Sequence, residues 1–94
     1  MTIEELKEKI EPILVGHDIK KAGIFGSVAR REEDANSDVD ILVEIGSKSL
    51  SLFDFVGIKL ELEDALGRKV DLVEYSTIKP LLKKRILSEE ISIL

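Results

Sequence analysis

Three short apolar runs, residues 21–25, 39–45 and 69–73, alternate along this chain with segments whose apolar residues recur at helical spacing. The middle run, Val-Asp-Ile-Leu-Val-Glu-Ile, is rich in the β-branched residues that favour strands. Before the first run, Leu6, Ile10, Ile13 and Leu14 fall on one helical face. A chain of 94 residues that alternates in this way is expected to pack helices on a mixed β-sheet. The fold class is α/β (α+β), in the order α-β-α-β-α-β-α. The length fits a single domain spanning residues 1–94.

Local signals set the expected boundaries. Thr2 and Glu5 form a capping-box pattern for the first helix. Pro12 lacks an N–H and should kink or restart that helix, which Gly16 closes. Gly26-Ser27 ends the first strand, residues 28–31 suit one or two turns of helix, and residues 32–37 form a polar loop. Residues 46–49 read as a turn. Ser51 and Asp54 cap a helix that runs to Leu66, with Gly67 as its stop. Ser76 or Thr77 caps a last helix with Pro80 in its first turn. Its apolar stripe is Leu81, Leu82, Ile86, Leu87, Ile91 and Leu94.

Composition narrows the function classes. With 44% hydrophobic and 35% charged residues, the chain is expected to be globular and soluble rather than disordered. The net charge of −5 repels phosphate backbones and disfavours general nucleic-acid binding. There is no cysteine, hence no disulfide and no thiolate metal site. No apolar run approaches a membrane span and the N-terminus is acidic rather than signal-like, so the expected location is cytoplasmic.

The chemistry-bearing residues cluster around the strands. Asp38 and Asp40 are two apart, so they point to one face of a strand while Val39, Ile41 and Val43 point to the other. Two carboxylates held that close repel, and a divalent cation between them is the simplest remedy. The alternative is a solvated strand start with Asp38 capping a turn. Asp71 sits alone among Val70, Leu72 and Val73. If its strand lies beside the Asp38–Asp40 strand, three carboxylates converge and suit a two-metal phosphoryl transfer. Taken alone, Asp71 equally suits a surface ion pair with Arg68 or Lys69. Gly26-Ser27, between a strand and a short helix, offers close backbone approach and a hydroxyl for a phosphate, though Gly-Ser is also an ordinary turn pair. Arg30, one turn on, could reach a triphosphate or face solvent beside Arg31.

In this order, Gly26-Ser27-Val28-Ala29-Arg30, then Ser37-Asp38-Val39-Asp40-Ile41-Leu42-Val43, then Gly67-Arg68-Lys69-Val70-Asp71-Leu72-Val73, the chain resembles the minimal nucleotidyltransferases of the DNA polymerase β superfamily. Lys79-Pro80-Leu81 and the basic last helix match that family's usual ending. The resemblance implies a palm-like fold. It implies that Asp38 and Asp40 hold two Mg²⁺ ions, that Asp71 binds the catalytic metal and helps the acceptor hydroxyl lose its proton, and that Gly26, Ser27 and Arg30 bind the nucleotide. The reaction implied is transfer of a nucleoside monophosphate from an NTP such as ATP. Minimal members resemble antitoxins of a type VII-like toxin–antitoxin system, whose partner is a HEPN-domain toxin that receives AMP on a tyrosine. An antitoxin that only masks the toxin is the alternative. One departure stands out: the family often has Gly where this chain has Arg31, and a position that takes φ > 0 would strain it.

The helix over residues 51–66 carries apolar side chains on more than one face. Either the first and last helices flank it, or a partner or a second copy covers it. His17 reads as a surface residue. Tyr75 suits either a half-buried strand end or a base-stacking position. The run Lys83-Lys84-Arg85 reads as a solvated face that opposes the helix dipole.

Overall fold

The computed structural model describes residues 2–32, 37–45 and 50–94. The loop expected over residues 32–37 and the turn over 46–49 lie largely or wholly outside them. The elements are α1 (Ile3–Gly16), β1 (Lys21–Phe25), α2 (Gly26–Ala29), β2 (Val39–Glu44), α3 (Leu52–Leu66), β3 (Val70–Glu74), a 3₁₀ turn (Tyr75–Thr77), α4 (Pro80–Glu89) and β4 (Ile91–Ser92).

Both capping boxes form. Glu5 N–H donates to Thr2 Oγ1 at 3.1 Å, and Thr2 N–H donates to Glu5 Oε1 at 3.3 Å. Ser51 and Asp54 repeat the pattern at 3.1 and 3.3 Å. Gly67 stops α3 in the left-handed region at φ 64°, where a side chain would be strained. Pro12 neither ends nor restarts α1: it faces solvent, while Leu6, Ile10 and Leu14 anchor the opposite face in the core.

The four strands order as β3-β2-β1-β4. β1 pairs antiparallel with β2 and β4, and β2 pairs parallel with β3. A parallel pair needs a crossover, and α3 supplies it. One face of the sheet, Ala22, Ile24, Val39, Ile41, Val43, Val70 and Leu72, is buried against Leu6, Ile10 and Leu14 of α1 and Ile58, Leu62 and Leu66 of α3. Each such side chain, fully buried, contributes about 1.5–3 kcal/mol. The other face carries Gly23, Asp40, Leu42 and Asp71, and the end of α4 comes over part of it.

The mixed-sheet fold is as expected, with a fourth strand added at the C-terminus. Ile91 and Leu94 therefore do not extend the stripe of the last helix. Ile91 pairs with Ile24 on β1, and the N–H of Leu94 donates to the Ala22 carbonyl. No residue of α4 is buried, and Leu81 is 96% exposed. Ser76 and Thr77 do not cap α4 either. They form the 3₁₀ turn, Thr77 Oγ1 donates back to the Glu74 carbonyl, and Pro80 at N1 makes a side-chain cap less needed. No helix among the described residues is long and apolar enough to cross a membrane.

Arg31 lies at φ 59°. A side chain there is strained by roughly 1–2 kcal/mol, partly offset by the extra unfolded-state freedom of glycine. Arg31→Gly is therefore expected to stabilise the protein by about 1 kcal/mol, read as a higher urea midpoint with an unchanged slope.

Candidate active site

The register of the parallel pair sets Asp40 directly beside Asp71. Paired residues of adjacent strands share a face, so both carboxylates lie on the face opposite the core. Asp38 is exposed, just before β2, two residues from Asp40 and on the same side. Two bonds clip the chain around it: Arg68 Nη2 donates to the Ser37 carbonyl at 2.6 Å, and Val39 N–H to the Lys69 carbonyl at 2.9 Å. Glu63 Oε2 accepts from Val70 N–H at 2.9 Å and ties the start of β3 to α3. Among the described residues no ion pair joins Asp71 to Arg68 or Lys69, and Arg68 donates to the Ser37 carbonyl beside Asp38.

Asp40 senses the other two acids. Asp40 is half-buried, and its carboxyl is pushed up to about 6 by burial first, then by the charges of Asp71 and Asp38, with Arg30 opposing. Among the described residues no three acids or histidines are gathered into a ready-made metal cage. The donor set nevertheless fits a hard divalent cation: it is all oxygen, and its unrelieved repulsion is what such an ion neutralises.

Gly26 begins α2 rather than ending β1, at φ 74°. A Cβ there would overlap Asp40 Oδ2. The absent side chain is thus the space that Asp40 occupies, which couples the Gly-Ser turn to the acid cluster. Ser27 follows on α2, partly buried. Arg30 ends α2 but does not point freely toward a substrate. Its Nε lies 3.0 Å from Glu32 Oε2 and its Nη1 3.0 Å from Glu89 Oε2. Burial does not explain Arg30; its guanidinium is held charged by these two carboxylates.

The family model for polymerase beta nucleotidyltransferases matches residues 8–94. This chain belongs to that family. A Methanocaldococcus jannaschii chain named as a protein adenylyltransferase is 53% identical over 94 residues, covering 100% of both chains. Protein adenylyltransferase MntA of Thermococcus cleftensis is 39% identical over 90 residues, covering 87% of this chain and 90% of its own. Among solved structures, a minimal nucleotidyltransferase superposes with a TM-score of 0.81 at 35% identity, covering 97% of this chain and 95% of its own. The MNT antitoxin in complex with a tri-AMPylated HEPN toxin from Shewanella oneidensis gives 0.75 at 20% identity, covering 97% and 71%. At that identity the second likeness shows the fold alone.

For this nucleotidyltransferase, the sequence pattern singled out neither Glu89 nor Glu90, which stand in a charged helix end with no motif. Glu90 meets Tyr75: the Tyr75 hydroxyl donates to Glu90 Oε2, and Lys21 Nζ sits 4.8 Å from the ring centroid. Burial, then the Glu90 bond and charge, hold the phenol protonated well above its ordinary range. Tyr75 is thus a half-buried post at the far end of the site face rather than an open stacking platform. His17 joins α1 to α3 through Glu61 Oε1 at 3.0 Å, on the surface as expected.

The raised Asp40 pKa has a sign. Its contribution favours folding below the ordinary carboxyl range, where the group is protonated in both states, and is lost as pH rises through about 6. Metal-free Asp40→Asn should therefore flatten the stability profile between about pH 4 and pH 6 and be more stable than wild type at pH 7. The gain is on the order of 1 kcal/mol once solvent screening of the half-exposed carboxyl is allowed for. Thermal melts across that pH range check it. Gly26→Ala should displace Asp40 and cost about 1–2 kcal/mol from the positive φ alone; the displacement reads as weakened Mn²⁺ binding.

Proposed function

We propose that this nucleotidyltransferase is a Mg²⁺-dependent protein adenylyltransferase that moves AMP from ATP to a hydroxyl of a partner protein. The partner is a HEPN-domain toxin, the acceptor one of its tyrosines, and this chain is the antitoxin. The observation that carries the reading is the register of β2 on β3, which puts Asp40 beside Asp71 with Asp38 two residues away and the Gly26 turn in contact. Divalent ions bound there would neutralise charge on the transferring phosphoryl and leaving groups. Asp38 and Asp40 are the residues to hold them, and Asp71 completes the set. Gly26 and Ser27 border the acids where the triphosphate would lie, and Arg30 stands one turn away. The acceptor oxygen bonds to the α-phosphorus, the bond to the β-phosphate oxygen breaks, and pyrophosphate leaves with that electron pair. Asp71 would take the hydroxyl proton.

The adenylyltransferase names of the 53% and 39% identical relatives support the substrate class. The complex of an MNT antitoxin with an AMPylated HEPN toxin supports the partner. Exposed Leu52 (77%), Phe53 (91%) and Leu60 (55%) on α3 support a protein partner, because α1 leaves them uncovered.

A second reading, a masking antitoxin with little catalysis, is favoured by Arg30 being already paired with Glu32 and Glu89. One experiment separates the two. The HEPN toxin is co-expressed with wild type and with Asp38→Asn, and its intact mass is measured. Added AMP with wild type and a drop of at least about a hundredfold with Asp38→Asn is the expected result. An unmodified toxin that co-purifies with both overturns the catalytic reading.

A further inference from the structure

Arg30 lies one turn along α2 from Gly26, which borders Asp40 Oδ2, yet among the described residues no ion pair joins its guanidinium to Asp38 or Asp40. That is unexpected. A guanidinium matches a carboxylate fork to fork, and Asp38 and Asp40 offer two repelling carboxylates with surplus charge. A guanidinium closed on them would occupy the oxygens a cation needs. Other groups hold this one.

Two carboxylates do. Glu32 is a near neighbour in sequence with a side chain 64% exposed, so its grip is local and solvent-screened. Glu89 is different. It is the last residue of α4, 59 positions away, and its side chain is only 20% exposed. One oxygen, Oε2, takes Arg30 Nη1 at 3.0 Å; the other, Oε1, lies 3.5 Å from Arg85 Nε on the same helix. The end of α4 is itself fixed over the site face, because Glu90 lies over Gly23, where a Cβ would overlap its carboxylate, and accepts from Tyr75. Ile91 then pairs with Ile24. Glu89 therefore acts from a rigid anchor rather than from a loop.

We propose that Glu89 is a positioning residue for Arg30: it holds the guanidinium at the end of α2 and off Asp38 and Asp40, leaving those acids open to a divalent cation while the positive charge stays within reach of a bound triphosphate. The proposal rests on the metal-binding reading of the three aspartates given above.

The test is a double-mutant cycle on the full chain, with Mn²⁺ alone as the probe and its free concentration read by electron paramagnetic resonance. Glu89→Gln keeps the shape and removes the charge. It is expected to weaken Mn²⁺ binding roughly tenfold, the lower end of what the supporting groups of metal ligands are worth. In an Arg30→Gln background the same substitution is expected to change binding by less than about twofold, because no guanidinium remains to compete. Glu89→Asp, which keeps the charge but shortens the reach, should also weaken binding in the Arg30 background, and it serves if the Gln variant fails to fold by circular dichroism. An equal cost of Glu89→Gln in both backgrounds, or none in either, overturns the positioning role while leaving the metal site standing. Wild type that binds no Mn²⁺ overturns the metal reading and this proposal together.

Discussion

The parallel hydrogen-bonded pairing of β2 with β3 is the constraint on which the rest of the site depends. Because side chains alternate along a strand, a slip of one residue would turn Asp40 into the core and Ile41 out of it. Val39, Ile41 and Val43 on one strand and Val70 and Leu72 on the other therefore lock the register through burial. The acids gain their places from the same alternation. Asp40 meets Asp71 because the apolar residues beside them meet their own partners. The structural cost is a half-buried carboxyl beside like charges, and it shows as the raised pKa of Asp40, by burial first and then by Asp71 and Asp38.

Around that pair the protein manages charge by geometry more than by burial. Gly26 removes a side chain so that Asp40 has room. The Arg68 guanidinium is spent on the Ser37 carbonyl, and the Lys69 carbonyl takes Val39 N–H, so the residues beside Asp38 are clipped onto the start of β3. Arg30 is tied to two glutamates from different parts of the chain. The site is thus an open acidic face with the Arg30 guanidinium held at its border. On the other side of the sheet, α1 covers one flank of α3 and leaves Leu52, Phe53 and Leu60 exposed.

Much of this was readable in residue order. β1 has the bounds its apolar run implied, and both capping boxes and the Gly67 stop formed where Thr2, Ser51 and Gly67 placed them. These signals are local, involving groups three or four residues apart, so no tertiary contact is needed to anticipate them. The last quarter was less readable for the opposite reason. Ile91 and Leu94 continue a helical period, but β1 has an open edge, and two residues suffice to pair with it. Ser76 and Thr77 have the chemistry of caps, yet the chain turns through them before Pro80 starts the helix. Pro12, a break by propensity, is tolerated because the buried side of α1 outweighs one lost bond.

The sequence by itself determined the chemistry: three aspartates, a Gly-Ser turn, a family pattern, and alternation that sends Asp40 and Val39 to opposite faces. These follow from covalent order and strand periodicity, which hold whatever the rest of the chain does. Only the tertiary structure decided which groups share space. Asp71 joins Asp40 through β-pairing across 31 residues. Arg30 is claimed by Glu89 from the far end of the chain, and Arg68 by Ser37. An Arg and a Glu 59 residues apart carry no mark in sequence that they will meet; their encounter is set by how the sheet orders its strands and where α4 is laid across them.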